Sequence, residues 1–181
     1  MCGIVGYVGD QNATPIILNG LRRLEYRGYD SAGIAVLSNG NVEVRREAGK
    51  LSKLESLVQN QPIQGTIGIG HTRWATHGVP NDVNSHPHLS NSGNLAIIHN
   101  GIIENYEPLK KELIKRGYVF HSDTDTEVLV NLIEEVQKKE KLKLGKAVQV
   151  ALNQVVGAYA ICVFDKQNPD EIVVARLGSP L

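Results

Sequence analysis

Cys2 has the widest chemical reach in this sequence, because of where it stands. Removal of Met1, which processing enzymes favour before a small residue, leaves a thiol and a free α-amine on one residue. An α-amine titrates near about 7.7–8.0, so a good share of it is free base around neutral pH, whereas a lysine amine is almost wholly protonated. The amine can take the thiol proton through one water, since direct contact within one residue is strained. The plainer alternative is a small buried residue leading into a strand, which is where free cysteines commonly sit. Taken singly, other polar residues also have plain readings. Arg73 reads as a solvated surface charge, Asp125 as a helix N-terminal residue complementing the dipole, and Asn100-Gly101 as an ordinary turn. Cys162, inside Ala-Ile-Cys-Val-Phe, reads as a small buried hydrophobe.

Metal and nucleotide chemistry are poorly supported. His86-Pro87-His88 brings two imidazoles close together, with His71, His77, His99 and His121 nearby in sequence. There is no HExxH, no second cysteine pair and no carboxylate at ligand spacing beside them, so no metal is expected. Asp123-Thr124-Asp125-Thr126-Glu127 faintly resembles a calcium loop yet lacks the glycine of the sharp turn, and a helix start fits better. Gly65, Gly68 and Gly70 match neither a Walker nor a Rossmann spacing, so no cofactor is expected.

Several elements would have to position these residues. Ile4–Val8 is β-branched and almost continuously apolar, which predicts a buried strand beginning beside Cys2. Thr14 as N-cap with Pro15 after it, then Ile17, Leu21 and Leu24, predicts a helix ending before Gly28. Ala32–Leu37 and Val42–Glu47 flank Ser38-Asn39-Gly40-Asn41, a hairpin signature. Strands are predicted at Thr66–His71 and Asn94–His99. The long stretch between them holds Pro80 and Pro87, and its length marks it as functional or disordered. Pro108 opens a helix running to Gly117. Val128, Leu129, Leu132, Ile133 and Val136 mark the apolar face of a second helix, and Val148, Leu152 and Val155 that of a third. Ala158–Phe164 and Glu171–Ala175 read as a closing strand pair. Strands, then helices, then strands with hairpin-length links favour an α+β sandwich of antiparallel sheets with helices outside.

The chain has 181 residues, ordinary for one domain, and residues 1–181 are read as one. Lys plus Arg number 19, as do Asp plus Glu, so no long-range field recruits nucleic acid or anionic lipid. No secretory signal or membrane-length apolar run occurs, which predicts a cytoplasmic protein without a disulfide framework. The ending Arg-Leu-Gly-Ser-Pro-Leu, directly after a strand, reads as the edge of a domain within a longer chain.

Met-Cys-Gly-Ile-Val-Gly resembles the opening of the class II glutamine amidotransferases, members of the N-terminal nucleophile hydrolases. LRRLEYRGYDSAG at Leu21–Gly33 and HTRWATHG at His71–Gly78 are similar to the fructose-6-phosphate amidotransferase family, and VNSHPH, HNGIIEN and SDTDTE agree in order and spacing. The resemblance implies a four-layer αββα sandwich of two antiparallel sheets. It implies that Cys2 is the nucleophile, with Asn100 and Gly101 as the oxyanion hole. Arg73 would pair with the α-carboxylate of glutamine, a task suited to a planar two-pronged cation. Thr76 and His77 would add donors there, and Asp125 would recognise the α-ammonium. Arg27 and Gly28 would order the N-terminal residue. Trp74 would lie on a loop that closes over glutamine and limits wasteful hydrolysis.

On this reading the chain hydrolyses glutamine to glutamate and ammonia. In the family, C-terminal isomerase domains use the ammonia to convert fructose 6-phosphate to glucosamine 6-phosphate, an amino-sugar precursor. Those domains are absent from these residues, and the isolated domain is expected to be monomeric where the full-length chain is a homo-oligomer. Two other readings stay open: a glutamine-binding regulatory module without turnover if Met1 is retained, and an amidotransferase serving another acceptor.

Overall fold

A computed structural model describes residues 2–75 and 78–181 of the chain. Its strands are β1 (Gly3–Val8), β2 (Ser31–Ser38), β3 (Asn41–Ala48), β4 (Ile67–Arg73), β5 (His88–Leu89), β6 (Leu95–Ile103), β7 (Gly157–Asp165) and β8 (Asn168–Leu177). Its α-helices are α1 (Ala13–Arg23), α2 (Leu51–Asn60), α3 (Tyr106–Lys115), α4 (Asp125–Glu140) and α5 (Leu144–Leu152), with a short 3-10 turn at Glu25–Arg27. The strands form two antiparallel sheets, ordered β1-β4-β2-β3 and β5-β6-β7-β8.

Strand periodicity explains the layers. Ile67 and Ile69 of β4 and Ala35 of β2 meet Ala96 and Ile98 of β6 and Cys162 and Phe164 of β7 between the sheets. The alternate residues of β4, Gly68 and Gly70, underlie α1. A Cβ on Gly70 would stand 2.3 Å from Ile17 Cγ2, and one on Gly68 2.8 Å from Ile17 Cδ1. These glycines therefore serve close helix–sheet packing, and Ile17 and Leu21 of α1 join Leu51, Leu54 and Val58 of α2 over the outer face of the first sheet. On the other side, Leu95, Ile97, Ile161 and Val163 pack under α4 and α5. Each such side chain contributes about 1.5–3 kcal/mol when fully buried. The result is the expected α+β arrangement of helices, sheet, sheet and helices.

Local departures have local causes. The cap of α1 is Asn12 rather than Thr14: the Asn12 side chain accepts from Thr14 N–H at 3.4 Å, while Thr14 Oγ1 donates to Ile63 O at 2.7 Å. Helix α2 lacks a sequence signal of its own: its cap residue Lys50 gives no side-chain hydrogen bond, and it buries only Leu51, Leu54 and Val58. Helix α5 stops at Leu152, before Val155. The hairpin forms at the expected residues, with φ of 52° at Asn39 and 79° at Gly40. Strand β6 runs straight through Asn100-Gly101, so that pair is no turn. Part of the long connection after β4 is pinned to β3: Ala48 N–H donates to Asp82 Oδ1 at 2.7 Å, and Arg46 Nη1 donates to the carbonyls of Ser85 and Pro87 at 3.3 and 3.4 Å. No helix among the described residues is long and apolar enough to cross a membrane.

Candidate active site

The registers of two strand pairs build the site at one end of the inter-sheet layer. β1 and β4 pair with Gly3 opposite Thr72, which brings Cys2 beside the residues leaving β4. Gly3 N–H donates to Thr72 Oγ1 at 2.9 Å, and a Cβ there would stand only 2.7 Å from that oxygen. Cys2 Sγ then accepts from Trp74 N–H at 3.0 Å. Across the layer, Asn100 continues the inward face of Ala96 and Ile98, and its Nδ2 donates to Cys2 O at 3.2 Å. Its Oδ1 lies 2.7 Å from His71 Nε2. Gly101 has φ +122°, and a Cβ on it would stand 2.1 Å from Ala158 O, so the neighbouring strand leaves no room for a side chain.

Two charged residues flank this centre. Arg73 and Asp125 are each only 3% exposed. Asp125 is the first residue of α4, and its Oδ2 accepts from Ile103 N–H at 2.8 Å, which fastens the helix start to the end of β6. Thr124 caps that helix by accepting from Glu127 N–H at 3.3 Å. Burial pulls the Arg73 guanidinium below its ordinary value, while Asp30, Cys2 and Asp125 pull it back. A cavity of about 30 Å³ lies among Cys2, Arg73, Trp74, Asn100, Gly101 and Asp125. A larger cavity, about 270 Å³, lies elsewhere, between Arg46, Leu89 and Glu127.

Burial raises the Cys2 thiol above its ordinary value, offset by the Trp74 N–H and by Arg73, while Asp30 pushes it further up. Burial holds His71 down at about 3 and drives His86 and His88 well below the usual imidazole range. All three are therefore neutral at pH 7. Their partners are uncharged: His86 Nε2 and His99 Nδ1 share Thr126 Oγ1 at 2.7 and 3.0 Å, and His88 Nε2 lies 3.1 Å from Thr124 Oγ1. No group of three or more His, Cys, Asp or Glu among the described residues is placed to hold a metal ion.

Of the residues singled out in the sequence, Cys2, Arg73, Trp74, Asn100, Gly101 and Asp125 come together. Gly28, at φ +73°, lies against the Trp74 ring, and exposed Arg27 sits over Tyr26 at 5.9 Å. Thr76 and His77 lie outside the described residues. Two neighbours gain a role only from the structure. Asp30 accepts from Ala75 N–H at 2.6 Å and donates its own N–H to Arg73 O at 2.7 Å, holding the chain as it leaves β4. His71 sits in the HTRWATHG segment, where the sequence offers it only as a candidate metal ligand. Its signal is the strand period, which puts residues 67, 69, 71 and 73 on one face.

A thiol at the head of β1, beside an amide from β6 in an αββα sandwich, is the arrangement of the N-terminal nucleophile amidotransferase fold. Residues 56–179 match the glutamine amidotransferase domain family, and the chain belongs to it. Over its whole length it is 59% identical to glutamine–fructose-6-phosphate aminotransferase (isomerizing) of Caldanaerobacter subterraneus subsp. tengcongensis and of Bacteroides thetaiotaomicron. It spans 29% and 30% of those relatives' length. Among solved structures, the glutamine phosphoribosylpyrophosphate amidotransferase of B. subtilis, complexed with ADP and GMP, superposes with a TM-score of 0.80 at 28% identity. That match covers 97% of this chain and 37% of that one. A structure described as the allosteric regulatory enzyme of purine biosynthesis gives 0.82 at 30% identity, with the same coverage.

Proposed function

We propose that, once Met1 is removed, Cys2 attacks the side-chain amide of glutamine. The α-amine takes the thiol proton through a water, a C–S bond forms, and the carbonyl oxygen becomes an anion facing Asn100 Nδ2 and the Gly101 N–H. The C–N bond then breaks and ammonia leaves with a proton, giving a γ-glutamyl thioester. Water hydrolyses the thioester, releasing glutamate and restoring the thiol. Arg73 pairs with the α-carboxylate and Asp125 with the α-ammonium, with Thr76 and His77 assisting. Arg27 and Gly28 order the N-terminal residue, and Trp74 covers the bound amino acid.

One observation carries this reading: Trp74 N–H reaches Cys2 Sγ at 3.0 Å while Asn100 Nδ2 lies 3.2 Å from the same residue's carbonyl oxygen. A donor suited to an oxyanion therefore already stands beside the residue that carries the sulfur. In a longer chain like its relatives, the domain would supply ammonia for conversion of fructose 6-phosphate to glucosamine 6-phosphate in the cytoplasm. By itself it is a glutaminase.

The test uses protein whose loss of Met1 has been verified by intact mass. Cys2→Ala is expected to cut ammonia release at least about a thousandfold, as loss of a nucleophile does elsewhere, while glutamate still binds. Turnover within threefold of the parent, or full activity with the terminal nitrogen acetylated, would exclude this mechanism.

A further inference from the structure

We infer that His71 is a positioning residue for the hydrolysis of glutamine, holding the Asn100 amide with its NH2 turned toward Cys2. The inference rests on the oxyanion role proposed above for Asn100 and adds the group that fixes its orientation. An asparagine amide can face either way, and the two orientations present opposite chemistry, a donor or an acceptor. Here the hydrogen-bond pattern leaves one choice. Cys2 O is a carbonyl and can only accept, so the Asn100 atom 3.2 Å away must be Nδ2. Oδ1 then faces His71 Nε2 at 2.7 Å, and that nitrogen must carry the proton.

Burial keeps this arrangement steady. His71 is 1% exposed and its ring lies 4.4 Å, centroid to centroid, from that of His86. With its pKa held near 3, the imidazole is neutral throughout the working range and carries one N–H, which Asn100 Oδ1 requires at Nε2. Were the amide to turn over, two acceptors would face each other at Cys2 and a carbonyl oxygen would confront the developing oxyanion. A donor aimed in advance costs no reorganisation at the moment of charge development, which is where such groups gain their effect. His71 lines the same cavity as Cys2, and in this scheme it acts through Asn100.

The experiment measures glutamate release by the processed protein for five variants: His71→Leu, His71→Asn, His71→Gln, Asn100→Ala and His71→Leu/Asn100→Ala. Leucine fills the space without a donor, asparagine keeps polarity but falls short, and the glutamine amide can reach the same position as Nε2. We expect Asn100→Ala to lower kcat by about 100- to 1000-fold. His71→Leu and His71→Asn should lower it by about 10- to 100-fold with KM within about threefold. His71→Gln should recover most of the loss, and His71→Leu should cost nothing further once Asn100 is alanine. If His71→Leu does not fold, as judged by thermal unfolding, the contrast between His71→Asn and His71→Gln decides the matter in its place. Equal losses in the glutamine and asparagine variants overturn the inference. So does a loss for His71→Leu that persists undiminished on the Asn100→Ala background. An Asn100→Ala enzyme within threefold of the parent sinks the oxyanion role of Asn100 itself, and this inference with it.

Discussion

The two cysteines border one inter-sheet layer, and their surroundings differ in kind. Cys162 of β7 packs with Ile69, Ile98 and Phe164, and burial alone drives its thiol up to about 12. Cys2 is also raised by burial, but a backbone N–H and a guanidinium work against that rise. The same layer thus turns from apolar to polar along the strands. β4 passes from Ile67 and Ile69 to His71 and Arg73, and β6 from Ala96 and Ile98 to Asn100. The apolar end supplies stability, and the polar end gives some of it up. The buried imidazoles of His71, His86, His88 and His99 and the buried charges of Arg73 and Asp125 are costly to desolvate, and such groups are retained where chemistry needs them.

The sharpest way to break this contrast is alkylation of the native, processed protein by iodoacetamide at pH 8. With its thiol at about 12, Cys162 has a thiolate fraction on the order of 10⁻⁴ at that pH, and it is also sealed from reagent. Cys2 is only half-buried and has a donor at the sulfur. Peptide mass spectrometry should find Cys2 labelled at least about a thousandfold faster. Comparable rates at the two positions would mean that the environments are not distinct in solution.

How far this contrast is legible in the sequence depends on which residues are asked. The period of two in Ile67, Ile69 and His71 is plain, as are the Asn39-Gly40 hairpin and the helix start at Asp125, because each is a local signal. Helix α2 escapes notice because an uncapped helix burying three side chains differs little from a polar loop. Strand β5 spans two residues, too few for any period. The order β1-β4-β2-β3 inserts a distant strand between β1 and β2, and no local pattern encodes that. The same gap affects the site. Cys2, Arg73, Asn100 and Asp125 stand out by their resemblance to family motifs, but the pairing of His71 with Asn100 follows from two strands meeting across the layer. Asp30 likewise gains its place only when the chain leaving β4 folds back beside β2.

At the apolar end the next-largest effect belongs to Phe164, fully buried between the sheets. Phe164→Ala is expected to lower stability by about 3–5 kcal/mol, the transfer and cavity cost of a core aromatic. Urea unfolding measures it, and turnover per folded molecule should stay within about threefold because the cavity opens far from Cys2. A folded variant with native stability would show that the layer is not packed as described.

Cys162→Ser is the mildest change and isolates polarity from volume. The serine hydroxyl would occupy nearly the same space beside Gly6, where a Cβ would already stand 3.1 Å from Cys162 Sγ. Ile69, Ile98 and Phe164 offer it no side-chain partner, so its O–H must find a backbone carbonyl or remain unpaired. The expected loss is about 1–3 kcal/mol by urea unfolding. Glutamine hydrolysis should be unchanged, because a neutral hydroxyl replaces a thiol that burial already keeps neutral at working pH. If stability held while activity fell, Cys162 would be coupled to the polar end after all. The boundary between the two environments would then run deeper along β7 than the side-chain pattern indicates.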